Sequence, residues 1–181
     1  MIIVRMNRSR YSPKDPTGSK RYGGRWNSPG NDVLYASSTL ALACLEVLVH
    51  IRDVSLVPSD YVFCEIDVPE ELIGAWALTG ESALAKIESP VLSREYGDLW
   101  FNTTRPKSSE EEVFLQSLPP EIQEEIRQIK KQAAPVQTVP SVIIPREMNY
   151  LISPVHPQFA QLGWSKPQPF RFDPRLIATA E

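Results

Sequence analysis

Eight prolines (Pro135, Pro140, Pro145, Pro154, Pro157, Pro167, Pro169 and Pro174) punctuate the C-terminal end of the chain and forbid any long helix there. That end must consist of short strands joined by rigid turns. Thr138 to Ile144, Tyr150 to Ser153 and Pro169 to Asp173 are the strand-like runs. Glycine is distributed in the opposite sense. The chain of 181 residues holds 17 prolines but only 8 glycines, and four of these, Gly18, Gly23, Gly24 and Gly30, fall between residues 18 and 30. With Pro13, Pro16 and Pro29 they make Asn7 to Asn31 read as one long loop. Structureless loops beyond about 12 to 15 residues are usually functional or disordered.

The remaining elements alternate irregularly. Ile2 to Met6 and Val33 to Ala36 read as short strands, and Ser37 and Ser38 offer an N-cap to a helix from Thr39 to His50. Apolar residues surround that helix nearly all round, which predicts burial on most faces. Tyr61 to Val68 alternates as a strand with Val62, Cys64 and Ile66 on one face. Residues 70–100 suggest a short helix around Glu81 to Ile87, followed by the run Arg94 to Trp100. From 106 to 135 the composition turns charged, and Ile122, Ile126 and Ile129 at helical spacing predict an amphipathic helix in an insertion. This order predicts a single mixed α+β domain rather than a βαβ series. Cys44 and Cys64 lie in apolar runs and read as reduced core residues. With no signal peptide and no apolar run near the roughly 18 residues of a membrane span, the chain is expected to be cytoplasmic. His50 and His156 stand far apart without a cysteine or carboxylate cluster, so no bound metal is expected.

The net charge of −3 conceals an asymmetry: residues 1–25 carry +6, from Arg5, Arg8, Arg10, Lys14, Lys20, Arg21 and Arg25 against Asp15, and the remainder carries −9. The acidic remainder argues against direct nucleic-acid binding, and the non-catalytic nucleic-acid module stands as the alternative of another class. Basic residues and glycines coincide at Arg21-Tyr22-Gly23-Gly24-Arg25-Trp26-Asn27. Such a loop offers backbone N–H groups and guanidinium forks to phosphate, but it matches neither the dinucleotide nor the P-loop fingerprint.

Three single residues invite a chemical reading. Glu46 sits among apolar helix neighbours, where an ionised carboxylate is costly unless it is paired or opens onto a polar cleft. A buried salt bridge or a bond to His50 one turn on is the structural alternative. Ser141 is a hydroxyl in an apolar strand without the nucleophile-elbow pattern, which favours hydrogen bonding over attack. Tyr35, at the end of its strand, reads as a core aromatic ahead of a ligand platform, and His156, between Pro154 and Pro157, as a turn residue.

The succession Gly23 to Asn27, Leu34 to Ser37, Ala43 to Glu46, Val139-Pro140-Ser141 and Asn149 to Pro157 resembles the RES domain family, named for an Arg, a Glu and a Ser. Here these are Arg25, Glu46 and Ser141, and the resemblance spans nearly the whole chain. It implies a fold like that of ADP-ribosyltransferases, mixed sheets with flanking helices, and a toxin of a bacterial toxin–antitoxin pair. It further implies activity on NAD, as substrate and not as prosthetic group. The nicotinamide–ribose bond would be split with water or phosphate as acceptor, or ADP-ribose transferred to a host protein. On this chain Arg5 and Arg25 would hold the diphosphate, Tyr35 would pack on the nicotinamide side, Glu46 would act at the ribose and Ser141 would line the pocket. The implied partner is a cognate antitoxin with an Xre-like helix-turn-helix. Two departures stand out: Ser153 replaces the usual Asn before Pro-x-His-Pro, and the 106–135 insertion is long.

Such chemistry suits these residue types. Breaking the bond to nicotinamide builds positive charge on the sugar, which a carboxylate stabilises, and nicotinamide leaves neutral. Guanidinium forks match a diphosphate better than lysines do.

Overall fold

A computed structural model describes residues 1–51, 58–75, 88–105, 108–124 and 133–176. Its strands are β1 (Ile2–Arg8), β2 (Leu34–Ser37), β3 (Tyr61–Asp67), β4 (Ile73–Gly74), β5 (Val136–Pro140), β6 (Met148–Ile152), β7 (Gly163–Trp164) and β8 (Gln168–Phe170). They form one mixed sheet in the order β4-β5-β6-β2-β1-β3-β7, with β8 also on β3. All pairings are antiparallel except β4 with β5. β1 matches β3 along its whole length, from Ile2 opposite Asp67 to Arg8 opposite Tyr61, yet meets β2 at the single pair Val4 and Ser37. The two halves of the sheet are therefore stitched at one point and part beyond it.

Strand alternation divides the core between the two faces. Leu34 and Ala36 of β2 join Ile3, Ile66, Tyr150 and Ile152 in one buried cluster, whereas Tyr35 packs with Trp26, Trp100, Phe101, Val139 and Leu151 in a second. The expected alternation in β3 holds: Val62, Cys64 and Ile66 are buried, and both cysteines are free thiols. No helix among the described residues is long and apolar enough to cross a membrane.

Among the described residues the α-helices are α1 (Thr17–Tyr22), α2 (Leu40–Leu48), α3 (Pro90–Thr104) and α4 (Ser109–Gln116), besides helical residues 120–124. α2 is the helix expected after Ser38, with Thr39 as its N-cap: the Thr39 side chain accepts from Leu42 N. It is one-sided rather than buried all round, since Leu42, Ala43 and Cys44 are buried while Leu45, Val49 and His50 are exposed. α1 lies inside the expected loop; it buries no residue, so no apolar period announces it. The 15-residue α3 is longer than the run Arg94 to Trp100 suggests. Its buried stripe is Ser93, Gly97, Trp100, Phe101 and Thr104, helical in spacing but half of it small and polar. Ser89 caps it and Pro90 occupies its first turn. The helix expected at Glu81 to Ile87, and Ile126 and Ile129, lie outside the described residues; Ile122 is exposed.

α3 seats against the glycine loop at Gly97, where a Cβ would stand 1.7 Å from the Trp26 carbonyl oxygen. Exchanging glycine for alanine in an open helix interior stabilises by about 1 kcal/mol. Here the sign must invert: Gly97→Ala should lower stability by about 2 kcal/mol or more, through displacement of α3 from the loop. Urea denaturation followed by circular dichroism measures it.

Candidate functional site

Two elements far from α2 in sequence, the turn after β5 and strand β6, converge on Glu46, on the second turn of α2. The Ser141 hydroxyl donates to Glu46 Oε1 at 2.9 Å, and Asn149 Nδ2 donates to the same oxygen at 2.5 Å. Asn149 is itself held, because Ser37 Oγ donates to its Oδ1 at 2.8 Å. Ser37, Ser141 and Asn149 are all buried, and Glu46 is half-buried. Glu46 therefore takes its donors from the sheet and not from His50, which is exposed.

Ser141 stands just past β5 rather than within a strand. Pro140 ends the ladder, Ser141 N donates to Glu147 O, and the chain turns through Ile143 and Ile144 instead of continuing extended to Ile144. The amides of Ile143 and Ile144 both donate to Ser141 Oγ at 3.1 Å. With its lone pairs engaged, the hydroxyl proton is directed at Glu46.

The glycine loop builds the neighbouring wall. Gly23 has φ +71°, a left-handed conformation that suits glycine. A Cβ on Gly24 would lie 2.5 Å from the Tyr35 hydroxyl. That close approach lets Tyr35 bridge the loop: its OH donates to Asn27 Oδ1 at 2.7 Å and accepts from Trp26 N at 3.1 Å. Burial, the largest cause, pushes the Tyr35 phenol well above its ordinary range, so it stays a donor at any physiological pH. Asp98 of α3 anchors the far side, accepting from Ser28 N at 2.8 Å, Ser28 Oγ at 2.6 Å and Asn31 Nδ2 at 2.6 Å. The Arg25 guanidinium reaches Glu88 O at 3.2 Å. Tyr35 and Ser37 share one face of β2 two residues apart, about 7 Å at strand rise, so the loop wall and the Glu46 cluster are adjacent.

Arg5 is placed differently. Alternation turns it away from the face of Val4, the partner of Ser37. Its guanidinium donates to three carbonyls, Pro13 O at 2.7 Å, Tyr35 O at 2.8 Å and Asp15 O at 3.4 Å. Burial lowers its pKa to about 10, which leaves it charged at neutral pH. It lines a cavity of about 250 Å³ with Asn7, Tyr11, Asp15, Arg21 and Tyr22, and none of Arg25, Tyr35, Glu46 or Ser141 borders that cavity. Arg8 pairs with Asp60, and Lys20 with Asp32 at 3.1 Å, so much of the N-terminal positive charge is engaged within the fold.

His156 is a turn residue: its Nδ1 accepts from Gln158 N at 3.1 Å, and burial lowers its pKa. Among the described residues no group of three or more His, Cys, Asp or Glu is placed to hold a metal ion. Asn149, Ser37 and Asp98 were not singled out as site residues in the sequence. A polar residue at a buried strand position was the available signal for Asn149 and Ser37; nothing local marked Asp98.

A curled mixed sheet that carries a glycine–arginine loop and a helix-borne carboxylate near the same strand defines an α+β domain. The RES domain model matches residues 2–173, and the chain belongs to the RES domain family. Over 167 residues it is 32% identical to the "Prs ADP-ribosylating toxin" of Sphingobium sp. (strain YBL2), covering 90% of this chain and 86% of that protein. It is 31% identical over 183 residues to "Toxin Res" of Photorhabdus laumondii subsp. laumondii, covering 98% and 97%. The toxin–antitoxin complex MbcT–MbcA of M. tuberculosis contains a similar fold, with a TM-score of 0.53 at 14% identity over 93% of this chain and 83% of that one. Within the RES family the chain thus stands among the toxins.

Loss of the Tyr35 hydroxyl would leave both Asn27 Oδ1 and Trp26 N without their partner. Tyr35→Phe should cost about 1–3 kcal/mol. A fall in the urea midpoint at unchanged slope is the expected result.

Proposed function

We propose that this chain is an NAD-consuming toxin that breaks the nicotinamide–ribose bond, with Glu46 as its central residue. The observation that carries the reading is the carboxylate itself, half-buried, held at Oε1 by Ser141 and Asn149 and adjacent to the glycine–arginine loop. As nicotinamide departs with the bonding electrons, positive charge develops at the ribose, and the carboxylate stabilises it or orients the attacking oxygen. Ser141 serves as a donor to Glu46, not as a nucleophile. Arg25 supplies positive charge to the diphosphate from the loop. Arg5, expected from the resemblance to share the diphosphate, faces the other side of the sheet and instead braces the loop through its three carbonyl bonds. Tyr35 forms the wall on the nicotinamide side. NAD is substrate here, and the chemistry calls for no prosthetic group.

Water or phosphate as acceptor makes the protein a glycohydrolase or phosphorylase. Transfer of ADP-ribose to a host protein is the second reading, favoured by the relative named as a Prs-ADP-ribosylating toxin. Because the fold neighbour was solved as a toxin–antitoxin complex, we further propose a co-encoded antitoxin of the Xre type as partner. A nucleic-acid role is disfavoured by the internal engagement of Arg5, Arg8 and Lys20.

Purified protein incubated with NAD should release nicotinamide, in water or in phosphate buffer. Glu46→Gln keeps an oxygen for both donors, so it should fold normally while slowing release at least ~100-fold. A folded wild type with no release under either condition, and no label transferred from NAD to any protein of a lysate, would sink the proposal. A discrete labelled band favours the transferase; free ADP-ribose or its phosphate favours depletion.

A further inference from the structure

Both donors that reach Glu46 meet the same oxygen, Oε1, and they arrive from the neighbouring strands β5 and β6: Ser141 just after β5, Asn149 on β6. An amide beside a carboxylate can present its NH₂ or its oxygen, and the neighbours decide which. Here the carboxylate requires the NH₂, because the reversed amide would set Asn149 Oδ1 against Glu46 Oε1 at a separation of 2.5 Å. The Ser37 hydroxyl then completes the arrangement by donating to Oδ1 at 2.8 Å. Ser37 and Asn149 are register partners across β2 and β6, in a ladder that runs from Leu34 opposite Ile152 to Ser37 opposite Asn149. Their side chains consequently point to one face without any loop adjustment.

Burying this polar pair needs a reason. Ser37 is 4% and Asn149 8% exposed, and the same sheet face otherwise carries Leu151 and Val139. An apolar pair would pack there without the desolvation cost of a hydroxyl and an amide. What an apolar pair could not supply is a rigid donor aimed at a carboxylate one layer above the sheet.

We infer that Asn149 and Ser37 are positioning residues for the reaction: Ser37 orients the Asn149 carboxamide, and Asn149 together with Ser141 holds Glu46 Oε1 so that Oε2 faces the ligand. The inference rests on the role proposed for Glu46. It makes Ser37 act only through Asn149, an ordering that a general packing role does not impose.

Kinetics of nicotinamide release test that ordering. Asn149→Ala should lower kcat about 30-fold with KM within about threefold, because the ground-state contacts of NAD are elsewhere. Ser37→Ala should lower kcat about fivefold, and the double variant should be no slower than Asn149→Ala alone. An Asn149→Ala enzyme with more than half the wild-type kcat, a loss confined to KM, or effects that multiply in the double variant would overturn the inference. Ser37→Ala removes one hydroxyl only and keeps the test available where Asn149→Ala fails to fold.

A second readout needs no turnover. In ¹⁵N-labelled protein the Asn149 side-chain amide should resonate downfield of the other asparagines and move back in both Ser37→Ala and Glu46→Gln. A signal unchanged in both variants overturns the positioning role. A wild type that releases no nicotinamide, with the amide signal responding as expected, overturns the functional reading alone.

Discussion

Glu46 is aimed by groups outside its own helix, through its contact with the far end of the chain. Its donors lie 95 and 103 residues away in sequence. Those two bonds tie α2 to β6 and to the turn after β5, on the side of the sheet where β2 borders the single-pair stitch to β1. β2 carries both Tyr35 and Ser37 at this seam, so the loop wall and the groups that hold Glu46 are set by one strand. Placing a charged residue there resolves the cost of burying it: Glu46 keeps partial exposure while its held oxygen is fully hydrogen-bonded.

The glycine loop is rigid by a different means. Gly24 has no Cβ, so the Tyr35 hydroxyl approaches the loop closely enough to bond both Trp26 N and Asn27 Oδ1. Asp98 then closes three more bonds from α3. A side chain added at Gly24 would remove the approach, and with it the position of Arg25 two bonds along the loop. Arg5 works from beneath: by donating to carbonyls of residues 13, 15 and 35, it joins the start of the loop to the strand that bears Tyr35. The glycine cluster and the basic segment are thus one construction, with backbone close approach and guanidinium bonds holding the same loop.

Much of this was legible in the sequence because it rests on local pattern. The β3 alternation, the apolar helix after Ser38 and the proline-bounded strands each follow from spacing or from a missing N–H, although the cap falls on Thr39 and not on Ser37 or Ser38. Glu46 stood out because a carboxylate among apolar neighbours is energetically conspicuous. The illegible parts have physical reasons too. α3 hides because three of its five buried positions, Ser93, Gly97 and Thr104, are small, Gly97 so that the helix can seat against the Trp26 backbone. Asn149 and Ser37 gain their meaning from a register that no single strand encodes. Ser141 seemed to lie in a strand since Val142, Ile143 and Ile144 are β-formers, yet a turn that engages its hydroxyl twice outweighs their propensity.

That turn also gives the excess of proline a function. Pro140 ends β5 and cannot donate to a ladder, so the chain must leave the sheet at Ser141, and Pro145 lies within the return to Glu147. The bend lets the amides of Ile143 and Ile144 converge on a single hydroxyl oxygen. A serine so placed is poorly suited to attack, because two backbone amides occupy its lone pairs. It is well suited to fix that carboxylate. The stiff C-terminal segment and the helix-borne Glu46 are accordingly one device: rigidity of the turn becomes orientation of the acid, and reactivity is left to the oxygen that the turn does not hold.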